Sequence, residues 1–162
     1  MSLLERVLTK LIETLTALGG IIFVCSLVLG VFYRYVLHNA LTWSDEVAML
    51  CFTWVVFLGA ALLVREKGHV RIELIESILP NSVNWVLQLL IQLLIIAIGI
   101  SMVWFGWDFV QLTVGQTAPA TRYPIWVRNL SVPVAGFLFC VYSLLNIFQP
   151  VKIKETTEAD IL

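Results

Sequence analysis

Charge is what this sequence has least of. Of its 162 residues, 13% are Asp, Glu, Lys or Arg, about half the share of an ordinary soluble domain. These few charges are also crowded: none falls in 14–33, 47–64, 77–107 or 129–151. Histidine is scarcer still, with only His38 and His69. The three cysteines, Cys25, Cys51 and Cys140, all lie in charge-free stretches and share no close spacing. A CxxC redox motif is thereby excluded and a disulfide framework disfavoured, so small packing residues are the plain reading. No basic run is long enough to point to nucleic acid. No polar stretch is long enough to form a separate catalytic domain.

What fills the sequence instead is apolar. Hydrophobic residues make up 60% of the chain, counted without glycine; a soluble fold of this size could not hide them. A bilayer core needs about 20 apolar residues per helix. The expected fold is therefore all-α, a single membrane domain over 1–162 with four transmembrane helices, at about 14–35, 44–64, 83–108 and 129–150. The third charge-free stretch is the longest, and its helix can continue past Asp108. Residues 2–13 open on Ser2 and Glu5 in capping-box spacing, with Leu4, Val7, Leu8, Leu11 and Leu15 on one helical face. They are expected to form an amphipathic helix in the headgroup region. Residues 69–79 read as a second interfacial helix, ended by Pro80, and 152–162 as a loose cytoplasmic tail.

Lys and Arg set the orientation. Arg6, Lys10, Arg65, Lys67, Arg71, Lys152 and Lys154 share one side; Arg34, Arg122 and Arg128 share the other. The excess places both termini in the cytoplasm. Trp43, Trp104, Trp107 and Trp126 then mark the outer interface and Trp85 the inner one, as aromatic belts do. Trp54 is the exception, midway along the second span.

The charge-free stretches bear directly on function. An ion-coupled carrier ordinarily carries an ionisable side chain within a span, where it binds and releases the coupling charge. These spans have none in their interiors, so the chain is a poor candidate for the coupling unit. The two histidines fall on opposite membrane faces, about 30 Å apart, and cannot share a haem iron or a zinc ion. No catalytic residue, cofactor or metal is expected, and the chain reads as no enzyme.

Polar residues near or within the spans remain. Trp85, Gln88 and Gln92 share a face of the third span, Thr53 lies in the second and Asn146 near the inner end of the fourth. Interhelical hydrogen bonding is the ordinary role of such residues, a substrate site the alternative. Ser26/Gly30, Ala97/Ser101 and Ser131/Ala135 are small pairs four apart that permit close helix contact. Arg34 ends the first span and Asp45 and Glu46 begin the second, beside Trp43; an ion pair there would clamp the hairpin. The competing reading has Arg34 snorkelling to lipid phosphate while the acids cap the helix. Arg65, Lys67, His69 and Arg71 are candidates for lipid headgroups or a partner.

The sequence resembles a known family at these residues. Arg34-Tyr35, then Trp43-Ser-Asp45-Glu46, Phe57-Leu-Gly59-Ala60-Ala61, and Arg65-Glu-Lys-Gly68-His69-Val70-Arg-Ile-Glu73 are similar to the signature of the small membrane subunit, of DctQ/SiaQ type, of TRAP (tripartite ATP-independent periplasmic) transporters. Pro124-x-Trp126 and Pro133 fit its closing pattern, and the match covers about residues 15–148. Asp45 departs from a position where Glu is commoner, with the same chemistry. The resemblance implies a bacterial inner-membrane system. A periplasmic binding protein captures a carboxylate such as sialic acid or a dicarboxylate. A large elevator-type subunit, expected here as a separate chain, carries the sodium and substrate sites. The small subunit braces it. Trp54, Trp85, Gln88 and Gln92 are then the expected contacts within the complex. A redox-enzyme membrane anchor and an autonomous four-span exporter are the rival readings.

Overall fold

The computed structural model describes residues 3–65 and 81–148. The candidates Lys67, His69 and Arg71, the segment 69–79 and the tail lie outside the described residues. Within them the chain is helical: α1 (Leu3–Tyr35), α2 (Thr42–Arg65), α3 (Asn81–Leu112), the short α4 (Trp126–Asn129) and α5 (Ser131–Phe148). Four of these are long and apolar enough to cross a membrane: α1, α2, α3, and α4 with α5 as one span, Trp126–Ile147. The all-α, four-span expectation holds.

The helices outrun the charge-free stretches. α1 runs unbroken for 33 residues, about 50 Å, so residues 3–13 are its first turns rather than a separate segment. α3 continues past Asp108 to Leu112. Both exceed a hydrocarbon core of about 30 Å and must tilt or protrude.

The four spans form an open row. α1 packs on α2, α2 on α5 and α5 on α3; no other pair of spans packs extensively among the described residues. α2 and α5 are thus central, while α1 and α3 are edges with one neighbour each. The shared apolar cluster accordingly draws most on the central pair: Leu58, Ala61 and Val64 from α2, Leu138 and Tyr142 from α5, with Ile12 and Ile95 from the edges.

Small residues hold the row together. On α1 the side facing α2 is Thr9, Ile12, Thr16, Gly19, Phe23, Ser26, Gly30 and Tyr33, all buried or half-buried. Their spacing alternates three and four, the period of a helix–helix seam. By contrast Val7, Leu8, Leu11 and Leu15, the expected amphipathic stripe, point outward. Lipid suits that outward stripe, because acyl chains are as apolar as leucine and helix contact is won by close approach. At the crossing of α3 and α5, a Cβ on Gly99 would lie 2.8 Å from the Gly136 carbonyl oxygen, and one on Gly136 2.7 Å from that of Gly99. Of the three small pairs, Ser26/Gly30 and Ser131/Ala135 are buried, whereas Ala97 and Ser101 are exposed.

Candidate functional site

Side-chain chemistry concentrates at the end of the row that holds the α1–α2 turn. Arg34 Nη2 donates to Asp45 Oδ2 across the α1–α2 turn at 3.1 Å, with both side chains more than half exposed. Such an exposed pair contributes about 1 kcal/mol at most. Ser44 is fully buried between the two helices; its hydroxyl donates to the Leu41 carbonyl at 2.9 Å, and its Oγ fills the space a Cβ on Gly30 would need. Trp43 lies at the rim, 41% exposed.

Glu46 departs from the expected clamp. Its carboxylate turns away from Arg34 and accepts the Ala120 amide at 2.9 Å, the Thr121 amide at 2.8 Å and the Thr121 hydroxyl. The reason is geometric. The chain between α3 and α4 folds into a small hairpin, with a bridge between Thr117 and Pro124 and the Ala118 amide bonded to the Tyr123 carbonyl. At its tip the Arg122 amide donates back to the Ala118 carbonyl at 3.0 Å, with Arg122 at φ 57°, and the two amides inside that turn, those of Ala120 and Thr121, point at α2. A carboxylate satisfies both at once. At the hairpin's base the buried Asn129 amide donates to the Thr113 hydroxyl at 3.1 Å.

Deeper in the row the polar side chains mostly serve this chain's own contacts. Trp54, the expected partner contact, turns inward instead: its indole N–H donates to the Val127 carbonyl at 3.2 Å, and its ring packs on the apolar cluster. A buried indole seeks an acceptor, and the last turn before α5 offers one. Gln92 likewise accepts from the Ser143 hydroxyl, which also reaches the Gln92 carbonyl, tying α3 to α5. Gln88 is half-buried on the same side of α3. Only Trp85 of this set is largely outward, at 66% exposure. Asn146 donates to the Val64 carbonyl at 2.8 Å, α5 to α2, and Thr53 to the Met49 carbonyl within its own helix. Arg65 lies 3.7 Å from Glu13, a counterpart to the Arg34–Asp45 pair at the opposite ends of α1 and α2. The hydroxyl of buried Tyr142 has no hydrogen-bond partner among the described residues.

Sequence reasoning misses Thr121, Val127 and Ser143, since each acts through a partner far away in the chain. Among the described residues the arrangement holds no nucleophile–base pair and no convergent set of ionisable groups; it fastens helices and a loop to one another.

Comparison with known proteins agrees with that reading. Residues 23–153 match the family described as the DctQ component of tripartite ATP-independent periplasmic transporters. The isethionate TRAP transporter permease protein DctMQ of Oleidesulfovibrio alaskensis is 26% identical over 75% of this chain. The sialic acid TRAP transporter permease protein SiaT of Haemophilus influenzae is 32% identical over 55% of it. This chain covers only 20% and 15% of their respective lengths. The sialic acid TRAP transporter small permease protein SiaQ of Vibrio cholerae is 24% identical over 94% of this chain and 88% of its own length. With residues 23–153 matched by one family model and four membrane-spanning helices, the chain belongs to the DctQ family of TRAP transporter small permease components, multi-pass proteins of the inner membrane.

Proposed function

We propose that this chain braces the large, elevator-type permease subunit of a TRAP transporter during sodium-coupled uptake of a carboxylate solute delivered by a periplasmic binding protein. The observation that carries this reading is the open row of four helices with charge-free interiors. A carrier that works alone needs an ionisable or otherwise binding group at mid-membrane, and a closed bundle needs no partner for its edges. This chain has the opposite of both.

The two long relatives support the choice of partner. Each is a single permease polypeptide in which the segment similar to this chain is a fifth of the length or less, so the rest of the permease is tethered to it. Their names give isethionate and sialic acid as solutes, both organic anions. A carboxylate of the sialic acid or dicarboxylate type is our proposal for this system. The excess of Lys and Arg on one side supports cytoplasmic termini, with the Glu46 hairpin then on the periplasmic face and Arg65 near anionic lipid headgroups.

The test is affinity purification of the tagged chain in mild detergent from cells that also express the large subunit. Stoichiometric recovery of that subunit is expected. Recovery of this chain alone, under conditions where the large subunit is present and folded, would count against a bracing role.

A further inference from the structure

Arg34 and Arg65 each meet a carboxylate. Arg128, in the last turn of α4, meets none among the described residues. The acids at the start of α2 are committed elsewhere, Asp45 to Arg34 and Glu46 to the hairpin amides. Arg128 instead reaches Met49 on α2. Its Nη1 donates to Met49 Sδ at 2.9 Å, while its Nε donates to Asn129 Oδ1 at 3.4 Å. A guanidinium offers five N–H donors, and a thioether is a weak acceptor. The tie between α4 and α2, across 79 residues of sequence, therefore sets a strong donor against a poor partner.

Met49 is also open to reagents. It is 55% exposed, about two turns into α2. The other methionine among the described residues, Met102, is half-buried at the α3–α5 crossing, where a Cβ on Gly136 would lie 2.8 Å from its own Cβ. The two settings respond differently to an added oxygen. At Met102 it has to enter a close helix contact; at Met49 it meets a cation.

We infer that Met49 is a site of oxidation by hydroperoxides, and that Arg128 converts its sulfoxide into a tighter joint between α2 and α4. A sulfur lone pair attacks one oxygen of the hydroperoxide, so that the S–O bond forms as the O–O bond breaks. Sulfur is oxidised by two electrons and the peroxide is reduced. The proton on the transferred oxygen passes to the departing one, which leaves as water or an alcohol. The sulfoxide oxygen is polar and one bond from a sulfur already against Nη1. It replaces a weak contact with a charge-assisted hydrogen bond. Oxidation of a packed methionine disrupts its surroundings. At Met49 the sign reverses, because a cation lies against the sulfur and the side chain is more than half exposed.

Hydrogen peroxide treatment of the full chain in detergent, followed by peptide mapping and thermal unfolding, tests it. Met49 is expected to oxidise well ahead of Met102. Protein oxidised at Met49 and intact at Met102 should unfold at a higher temperature. Its amide exchange over 127–130 should slow by about tenfold, the equivalent of exchanging a weak acceptor for a strong one. Met49→Gln, which carries a permanent carbonyl oxygen, should reproduce the rise without oxidant. Met49→Leu and Arg128→Leu should show no rise after peroxide. A lower unfolding temperature on oxidation of Met49, an equal rise in Arg128→Leu, or oxidation of Met102 ahead of Met49 overturns the assignment. Because Met49→Gln and Met49→Leu leave Arg128 in place, the comparison stands even where Arg128→Leu fails to fold.

Discussion

Glu46, in the first turns of α2, holds Thr121 by both its amide and its hydroxyl across 75 residues of sequence. With the Ala120 amide added, one carboxylate anchors the hairpin that leads from α3 into α4. The contact ties the start of α2 to the loop that follows α3, two helices that do not otherwise pack extensively. Replacing Glu46 with Ala should free the 117–124 segment, seen as faster amide exchange and faster protease cleavage there, with the helices unaffected. Glu46→Gln keeps one carbonyl acceptor and should give an intermediate result. Equal protection in all three proteins would show that the hairpin holds itself.

Close approach at the α3–α5 crossing gives a second prediction. Any side chain on Gly99 or Gly136 meets opposing backbone inside 3 Å, and backbone cannot swing aside as a side chain does. Gly136→Leu should separate the helices at a cost of about 1–3 kcal/mol or more, read as a lower unfolding temperature in detergent. Gly20, whose added Cβ meets nothing within 4 Å, is the control and should tolerate Ala.

Gln92 and Ser143 supply a third. Gln92→Leu removes the side-chain acceptor from Ser143 while its main-chain carbonyl stays in reach at 3.0 Å. The expected loss is small, about 0.6 kcal/mol and no more than about 1.7. A larger loss of stability would mean that Gln92 does more than join two helices.

Tyr142 supplies a fourth, of opposite sign. It is 3% exposed and its hydroxyl is unpartnered among the described residues. An unsatisfied buried hydroxyl costs about 1–3 kcal/mol, so Tyr142→Phe should raise the unfolding temperature. A fall would reveal a hydrogen bond to that hydroxyl.

These contacts also mark what the residue types can and cannot disclose. The four spans are legible because a charge-free apolar run of bilayer length suits little besides a membrane helix, and the family resemblance rests on short motifs near the membrane borders. Faces are harder. Leu4, Val7, Leu8, Leu11 and Leu15 stand out as the apolar side of the first turns, and in water such a side would be the one that packs. Here the packed side between Thr9 and Gly30 is mostly Thr, Gly and Ser, with Ile12 and Phe23 among them, because lipid removes the reward for burying leucine. Sequence proximity groups Glu46 with Arg34 and Asp45; the turn at 118–122, invisible in the residue types, offers it two backbone amides instead. Trp54 lacks a membrane interface to anchor it, which suggests a partner, yet the acceptor it uses, the Val127 carbonyl, belongs to backbone that every sequence possesses.

A bracing subunit supports a transporter without itself coupling ions to solute, and sodium-gradient-driven uptake into proteoliposomes separates the two roles. The comparison is among vesicles with this chain alone, the large subunit alone, and both together, each with the solute-loaded binding protein outside. Background uptake is expected with this chain alone, and robust uptake only when both subunits are present. Sodium-dependent accumulation in vesicles holding this chain alone would contradict the bracing role.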